Sequence, residues 1–357
     1  MPSTAPMQAK STTGNFFEDF RIGMVIRHAT PRTVTVGDAA VYQACYGARF
    51  AVQSSEALAR AVGYERSPLD DMLVFHLVFG KTVPDLSLNA IANLGYADVR
   101  FLEPVFPGDT LSATTEIIGL RENSNKESGV VYVRSTGHNQ RGASVLTFAR
   151  WVMVRKRDKA ASVPDSVVPT LASHVAASDI GKAVPPIDTQ AYDLALAGSS
   201  FVWGDYQVGE RIDHIDGMTI EEAEHQLVTR LYQNTAKVHF NQHTEGQGRF
   251  KRRLVYGGVV ISLARALSFN GLANAFHVAA INGGRHAAPA FAGDTIYAWS
   301  EVLEREAIPG RSDIGALRLR TVATKNLSCS TFPGPSEAAT PTEGVILDLD
   351  YWVTMPR

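Results

Sequence analysis

Two stretches of the chain are apolar on every side, MLVFHLVFGKTV at residues 72–83 and VVISLARALSF at residues 259–269. Neither carries the polar stripe of a half-exposed helix, so each predicts a helix enclosed by other elements. The pattern around them is the same twice. A short strand (residues 24–28; 210–214) and a short helix starting at Gly37 or Glu221 come first. Extended, β-branched and aromatic segments follow, at 96–103, 110–120, 130–138 and 143–155 in one half and at 276–286, 295–303, 315–324 and 345–353 in the other. The last of them alternates, with Val345, Leu347, Leu349 and Tyr351 on one face and Asp348 and Asp350 on the other. PGDT and AGDT read as turns that deliver the chain straight into a strand. A meander after one enclosed helix implies an α+β fold: two tandem units, each an antiparallel curved sheet wrapped around a long central helix.

The two units are copies. GYADVRFLEPVFPGDTL (95–111) matches AINGGRHAAPAFAGDTI (280–296), with Pro104 and Pro289, Gly108 and Gly293, and Asp109 and Asp294 at a constant offset, 289 − 104 = 185. FEDFRIGMVIRH (17–28) likewise echoes WGDYQVGERIDH (203–214). A spacing of 185 or 186 held over so many positions means an internal duplication. It divides the chain into a tail (1–14), a first unit (15–158), a connector (159–199) rich in Ala, Ser and Pro that includes Pro164, Pro169, Pro185 and Pro186, and a second unit (200–357).

Composition removes several function classes. A net charge of −2 over 357 residues argues against nucleic acid as a partner. Two cysteines, Cys45 and Cys329, suit a reducing compartment and supply neither a disulfide framework nor a four-cysteine metal site. The opening residues are small and polar without an apolar core, and no run is long enough to span a membrane, so a cytoplasmic location is expected.

Candidate chemistry concentrates in residues 233–266. Asn234 and His239 come first, five positions apart, then the basic run Arg249, Lys251, Arg252 and Arg253, then Tyr256, Gly257 and Gly258 at the mouth of the second apolar helix. An imidazole can move a proton near neutral pH. A glycine pair lets a ligand approach the backbone, and the free N–H groups of a first helical turn favour negative charge. Together these suit a carbonyl whose oxygen becomes negative during reaction. Arg265, inside the apolar helix, needs a partner if buried. Arg285 is a weaker candidate, and His76 and His277, set among apolar residues, read as structural histidines.

With the PGDT and AGDT turns, the helix-enclosing sheets and the spaced pair ahead of the helix, the chain resembles the double hot-dog proteins of the MaoC-like hydratase/dehydratase group. NTAKVHFN and RLVYGGVVISLARAL look most like its mesaconyl-CoA hydratase branch. The resemblance covers nearly all of both units. The group pattern, an Asp, a His five residues on and a Gly eighteen beyond that, falls on Asn234, His239 and Gly257, with Asn in place of the Asp. In the first unit Tyr46 and Ala51 stand opposite Asn234 and His239, so that half lacks the pair.

The resemblance implies a lyase that hydrates a branched, unsaturated dicarboxylyl-CoA, with coenzyme A as part of the substrate and no metal or redox cofactor. It implies His239 for proton transfer, the Gly257 N–H for the thioester oxygen, and Asn234 to orient water or His239. Tyr256 and Gly258 would line the cleft. Arg249, Lys251, Arg252, Arg253 or Arg265 would bind CoA phosphates or clamp the substrate carboxylate. The general base stays open, because an amide takes no proton. An (R)-specific enoyl-CoA hydratase of broader range, an acyl-CoA thioesterase and a non-catalytic acyl-CoA-binding protein remain as alternatives. A homodimer is expected, as hot-dog units often pair through sheet edges.

Overall fold

The computed structural model describes residues 10–162, 166–334 and 342–357; residues 1–9 of the expected tail and Pro164 of the expected connector lie outside them. The two PGDT-type turns form as their composition requires. Gly108 and Gly293 sit at φ 102° and 92°, where a side chain would be strained. Asp109 and Asp294 each accept an N–H from three residues back, that of Phe106 and of Phe291, both at 2.9 Å. The chain therefore reverses and enters a strand at Thr110 or Thr295.

The strands are β1 (Val25–Thr33), β2 (Ala90–Phe101), β3 (Thr110–Glu122), β4 (Ser128–His138), β5 (Ser144–Arg155), β6 (Arg211–Asp213), β7 (Met218–Thr219), β8 (His277–His286), β9 (Thr295–Ala307), β10 (Ile314–Lys325) and β11 (Val345–Pro356). They make one sheet in the order β1-β3-β4-β5-β2-β8-β11-β10-β9-β6, with β7 beside β9. Equivalent strands of the two copies stand at equal distances from the middle. There β2 and β8 pair antiparallel, Tyr96 opposite Gly284 and Val99 opposite Ile281, and join the halves through backbone hydrogen bonds.

Each half encloses its helix. The first central helix, Asp71–Leu86, starts where Asp70 accepts the Met72 N–H at 2.8 Å. Buried residues occupy both its flanks from Met72 to Val83, which is why no polar stripe is visible in sequence. It packs against β1, β3, β4 and β5, and also against β8 of the other half. The second, Gly257–Leu267, packs against β9, β10 and β11 and ends before a kink at which Gly271 has φ 101°. Between the helices runs a buried polar contact: Ser262 Oγ accepts from Tyr42 Oη at 3.1 Å and lies 3.0 Å from His76 Nε2. These side chains come from both copies, so the hydrophobic core between them is shared.

The duplication reaches individual hydrogen bonds. His28 Nε2 meets Thr115 at 2.7 Å, and Thr115 meets Ser135; His214 Nε2 meets Ser300 at 2.8 Å, and Ser300 meets Thr321. After β5 the chain crosses to the second copy along the sheet. Val175, Ile180, Val184 and Ile187 bury themselves with Phe276 and Trp352, Trp352 Nε1 donates to the Val175 carbonyl at 2.9 Å, and Asn282 accepts the Val175 N–H at 2.8 Å. Among the described residues no helix is long and apolar enough to cross a membrane.

Candidate active site

The helix Glu222–Leu231 stops at Tyr232, and Gln233 takes a left-handed φ of 54° that turns the chain sharply. Asn234, 4% exposed, ties its N–H to the Thr229 carbonyl at 3.0 Å. Its Oδ1 accepts the Ala236 N–H at 3.1 Å, an Asx turn that starts the one-turn helix Lys237–Phe240. That turn carries His239. The Leu254 carbonyl lies 3.1 Å from His239 Nδ1. A carbonyl accepts only, so Nδ1 bears the proton and Nε2 holds a free lone pair. The Leu254 N–H returns to Val238 O at 3.0 Å, and two residues later Tyr256 caps the central helix, its own N–H given to His225 Nε2 at 3.0 Å.

These residues open onto a cleft of about 380 Å³ between the two copies. The second half contributes Asn234, His239, Tyr256, Gly257 and His286; the first contributes Phe79, Asn93, Tyr96 and Arg150. Asn234, His239, Gly257 and Tyr256 thus meet as their spacing suggests. The Gly257 N–H, in the first turn of the helix, bonds to no other described residue. Gly258 does not line the cleft: it is buried against His76, and a Cβ there would stand 2.4 Å from that ring.

The basic residues disperse. Arg249, Lys251 and Arg252 are exposed beside Phe250, which lines the cleft. Arg252 lies over the Phe291 ring at 3.8 Å and Arg249 over Phe250 at 5.0 Å. Arg253 is paired with Glu222. Arg265 is buried away from the cleft, over the Phe50 ring at 3.5 Å, donating to the Ala275 carbonyl and to Ser268; packing and these acceptors account for it. Arg285 is exposed and lines a separate surface groove. His76 is fully buried between Ser262 and Tyr256, and His277 meets Asp71 at 2.9 Å.

Two residues absent from the sequence reading stand in the cleft. The His286 ring, at the end of β8, lies against Gly257: a Cβ on that glycine would stand 2.5 Å from His286 Nε2, which has no hydrogen-bond partner among the described residues. Burial pulls both His239 and His286 down to about 4, the latter also because a charge on His239 would oppose its own. Both are therefore neutral at physiological pH. The second residue is Arg150 on β5, 1% exposed. Their signals were a break in the repeat. At the constant offset His286 falls opposite Phe101 (286 − 185 = 101). Arg150 pairs with Tyr96 where Tyr351 pairs with Ile281, the counterpart of Tyr96. Each is a nitrogen-bearing polar side chain where the other copy carries a phenyl or phenol ring. Among the described lining residues none is acidic, and Arg150 is the charged one.

Comparisons with known proteins agree over nearly the whole chain. A family model described as Mesaconyl-CoA hydratase matches residues 6–339. The β-methylmalyl-CoA dehydratase of Chloroflexus aurantiacus is 61% identical over 98% of this chain and 99% of its own. The mesaconyl-CoA hydratase of Cereibacter sphaeroides is 58% identical over 98% and 100%. A solved MaoC domain protein dehydratase from Chloroflexus aurantiacus superposes with a TM-score of 0.95 at 60% identity, covering 98% of this chain and 99% of that one. A conserved Mycobacterium tuberculosis protein with a double hotdog fold gives 0.72 at 28% identity, covering 97% and 99%. The fold is the double hot-dog expected from the repeat, and the chain belongs to the mesaconyl-CoA hydratase family.

Proposed function

We propose that the protein is a hydro-lyase that adds water across the double bond of mesaconyl-CoA to give β-methylmalyl-CoA, and runs the same step in reverse. The observation that carries this reading is the meeting of the His239 imidazole and the Gly257 N–H in one cleft whose described lining has no carboxylate. The relatives named for both directions of this reaction support it.

The chemistry follows from the thioester. Conjugation makes the β-carbon electrophilic, and negative charge collects on the thioester oxygen as water adds. The Gly257 N–H, at the positive end of its helix, suits that oxygen. His239 Nε2, its lone pair kept free by the Leu254 carbonyl on the opposite nitrogen, suits proton removal from the water. An imidazole held near 4 is a weak base, but the single free carboxylate of a bound acyl group favours the imidazolium and raises it toward neutrality. Asn234, its Oδ1 already bonded to Ala236, keeps its NH2 to hold the water or the substrate. The protonated His239 then returns its proton to the α-carbon or to solvent, and dehydration reverses these transfers.

The exposed Arg249, Lys251 and Arg252 beside Phe250 suit the phosphates of coenzyme A at the cleft mouth. A thioesterase would direct water at the carbonyl carbon, commonly with a carboxylate base, and none of the described lining residues is one. Incubation with mesaconyl-CoA separates the readings. The expected result is loss of the enoyl-thioester absorbance without release of free thiol. Thiol release would make the protein a thioesterase, and no change in either signal would leave it a binding protein.

A further inference from the structure

The Arg150 guanidinium is a buried charge without a counter-charge among the described residues. Its Nη2 donates to two neutral hydroxyls, Thr82 Oγ1 at 2.9 Å and Ser87 Oγ at 3.1 Å. Its Nε has no partner, and no described carboxylate pairs with it. The guanidinium carbon lies over the Phe79 ring, 4.3 Å from its centroid. Burial draws its pKa from the usual arginine range down to about 10, so the group stays charged at neutral pH, at a cost. Arg265, the other buried arginine near the helices, spends its donors on Ser268 and the Ala275 carbonyl. Arg150 keeps an unspent donor among the described residues, and its side chain belongs to the lining of the cleft.

Asn93, on the neighbouring strand β2, also lines the cleft, and neither end of its carboxamide has a partner among the described residues. Ser87 completes the corner. A cation with a free N–H, an amide with a free NH2 and a hydroxyl all belong to the lining of this cleft, and none of its described lining residues is acidic. Buried polar groups are nearly always satisfied, so a set left open in a cleft is best satisfied by what the cleft binds. Aromatic rings connect this set to the proton-transfer group: Phe79 to Tyr256 at 5.8 Å, and Tyr256 to His239 at 5.4 Å.

We propose that Arg150, with Asn93, forms the subsite for the free carboxylate of the acyl group, so that the half without the catalytic pair selects dicarboxylyl thioesters. The subsite rests on the hydratase reading above. In mesaconyl-CoA that carboxylate is attached to the β-carbon, the atom that water attacks. Holding it places the β-carbon at a fixed point in the cleft and offsets the charge that would otherwise repel incoming hydroxide.

Two thioesters test this, because tiglyl-CoA differs from mesaconyl-CoA only by a methyl group in place of the carboxylate. Their dissociation constants are measured by calorimetry with the full-length protein in a His239→Ala background, so that neither is turned over. Arg150→Met is expected to weaken mesaconyl-CoA by roughly 30-fold or more, the loss typical of removing one partner of a buried charge pair, and tiglyl-CoA by less than threefold. Equal weakening of both, or none for mesaconyl-CoA, would overturn the subsite. If Arg150→Met fails to fold, Asn93→Asp at a half-buried position serves instead: its carboxylate should weaken mesaconyl-CoA at least tenfold more than tiglyl-CoA, and equal effects overturn the proposal. Failure of the hydratase reading looks different. In that case the wild-type protein itself leaves mesaconyl-CoA unhydrated, whatever the two affinities are.

Discussion

Gly80 of the first central helix touches Tyr232 of the second copy: a Cβ on Gly80 would stand 1.8 Å from the Tyr232 carbonyl oxygen and 3.5 Å from the Asn234 N. No carbon and oxygen can be that close, so a side chain here must push the segment carrying Asn234 and His239 away. Gly80→Ala is expected to lower kcat by about 100-fold, the scale of a misplacement near 1 Å, while circular dichroism keeps its native shape. Wild-type turnover in this variant would mean that the segment is freely adjustable and that its position does not matter to the chemistry.

Replacing the proton-transfer group is the direct test of the pair. His239→Ala should lose roughly 100- to 10,000-fold in kcat. Ala51→His, at the corresponding place in the first copy, should gain nothing. Ala51 is buried in the core formed with the segment after β5 and does not line the cleft. Near-normal turnover in His239→Ala would move the chemistry to His286.

Asn234→Asp restores the residue usual in the wider group, and its effect depends on the substrate. A carboxylate beside the β-carboxylate of mesaconyl-CoA would repel it by about 1 to 4 kcal/mol at contact, according to the local dielectric. KM for mesaconyl-CoA should therefore rise. Crotonyl-CoA, which has no carboxylate, should hold or improve. If the two respond alike in steady-state kinetics, Asn234 positions water and does not sense the acyl charge.

The exposed basic residues predict a different signature. Arg249→Ala, Lys251→Ala and Arg252→Ala combined should raise KM for the CoA thioester, most at low ionic strength, where exposed charges are least screened. The pantetheine thioester, lacking the nucleotide phosphates, should show no such change. Arg253→Ala should act on stability instead, because Arg253 is paired with Glu222.

Acid should unfold the protein early. His76, His214 and His225 are buried, and burial lowers them to about 3, 4 and 3. In the unfolded chain they protonate near 6.5. Between about 6.5 and 4 the unfolded state therefore binds more protons, and the stability that these neutral rings contribute above 6.5 is lost as pH falls. Asp70, raised to about 6 by burial, binds its proton more readily when folded and offsets part of this in the same window. The melting temperature should be level from pH 7 to 8 and fall through pH 6 to 4.5. A level profile down to 4.5 would mean that the histidines are charged in the folded protein.

What the sequence exposed and what it hid have a physical division. Turns and apolar helices are local patterns, and each occurs twice at nearly one spacing, so Gly108 and Gly293 announce the same corner and the two helices the same core. The pair and its glycine were legible for a similar reason, since Asn234, His239 and Gly257 lie within one short stretch. The opposite wall was not. Arg150 reaches the cleft through the pairing of β5 with β2 and of β2 with β8, contacts that no window of sequence contains. Density of charge also misled: the visible basic run is largely exposed, whereas the cationic group inside the cleft is a single arginine in an apolar strand.

The seam between β2 and β8 has one more consequence. A pair of identical single units would be bound by its own symmetry, so every substitution would appear in both halves at once. A buried guanidinium suited to one corner of a cleft would then recur in the equivalent corner beside a second copy of the pair, and its desolvation would count against folding twice. Joining the halves in one chain breaks that symmetry. Position 150 can hold arginine while its counterpart keeps the tyrosine of residue 351, and position 286 can hold histidine while residue 101 stays phenylalanine. The two halves are free to drift toward different tasks, and a change in acyl preference can be made in the first half without touching a residue of the pair.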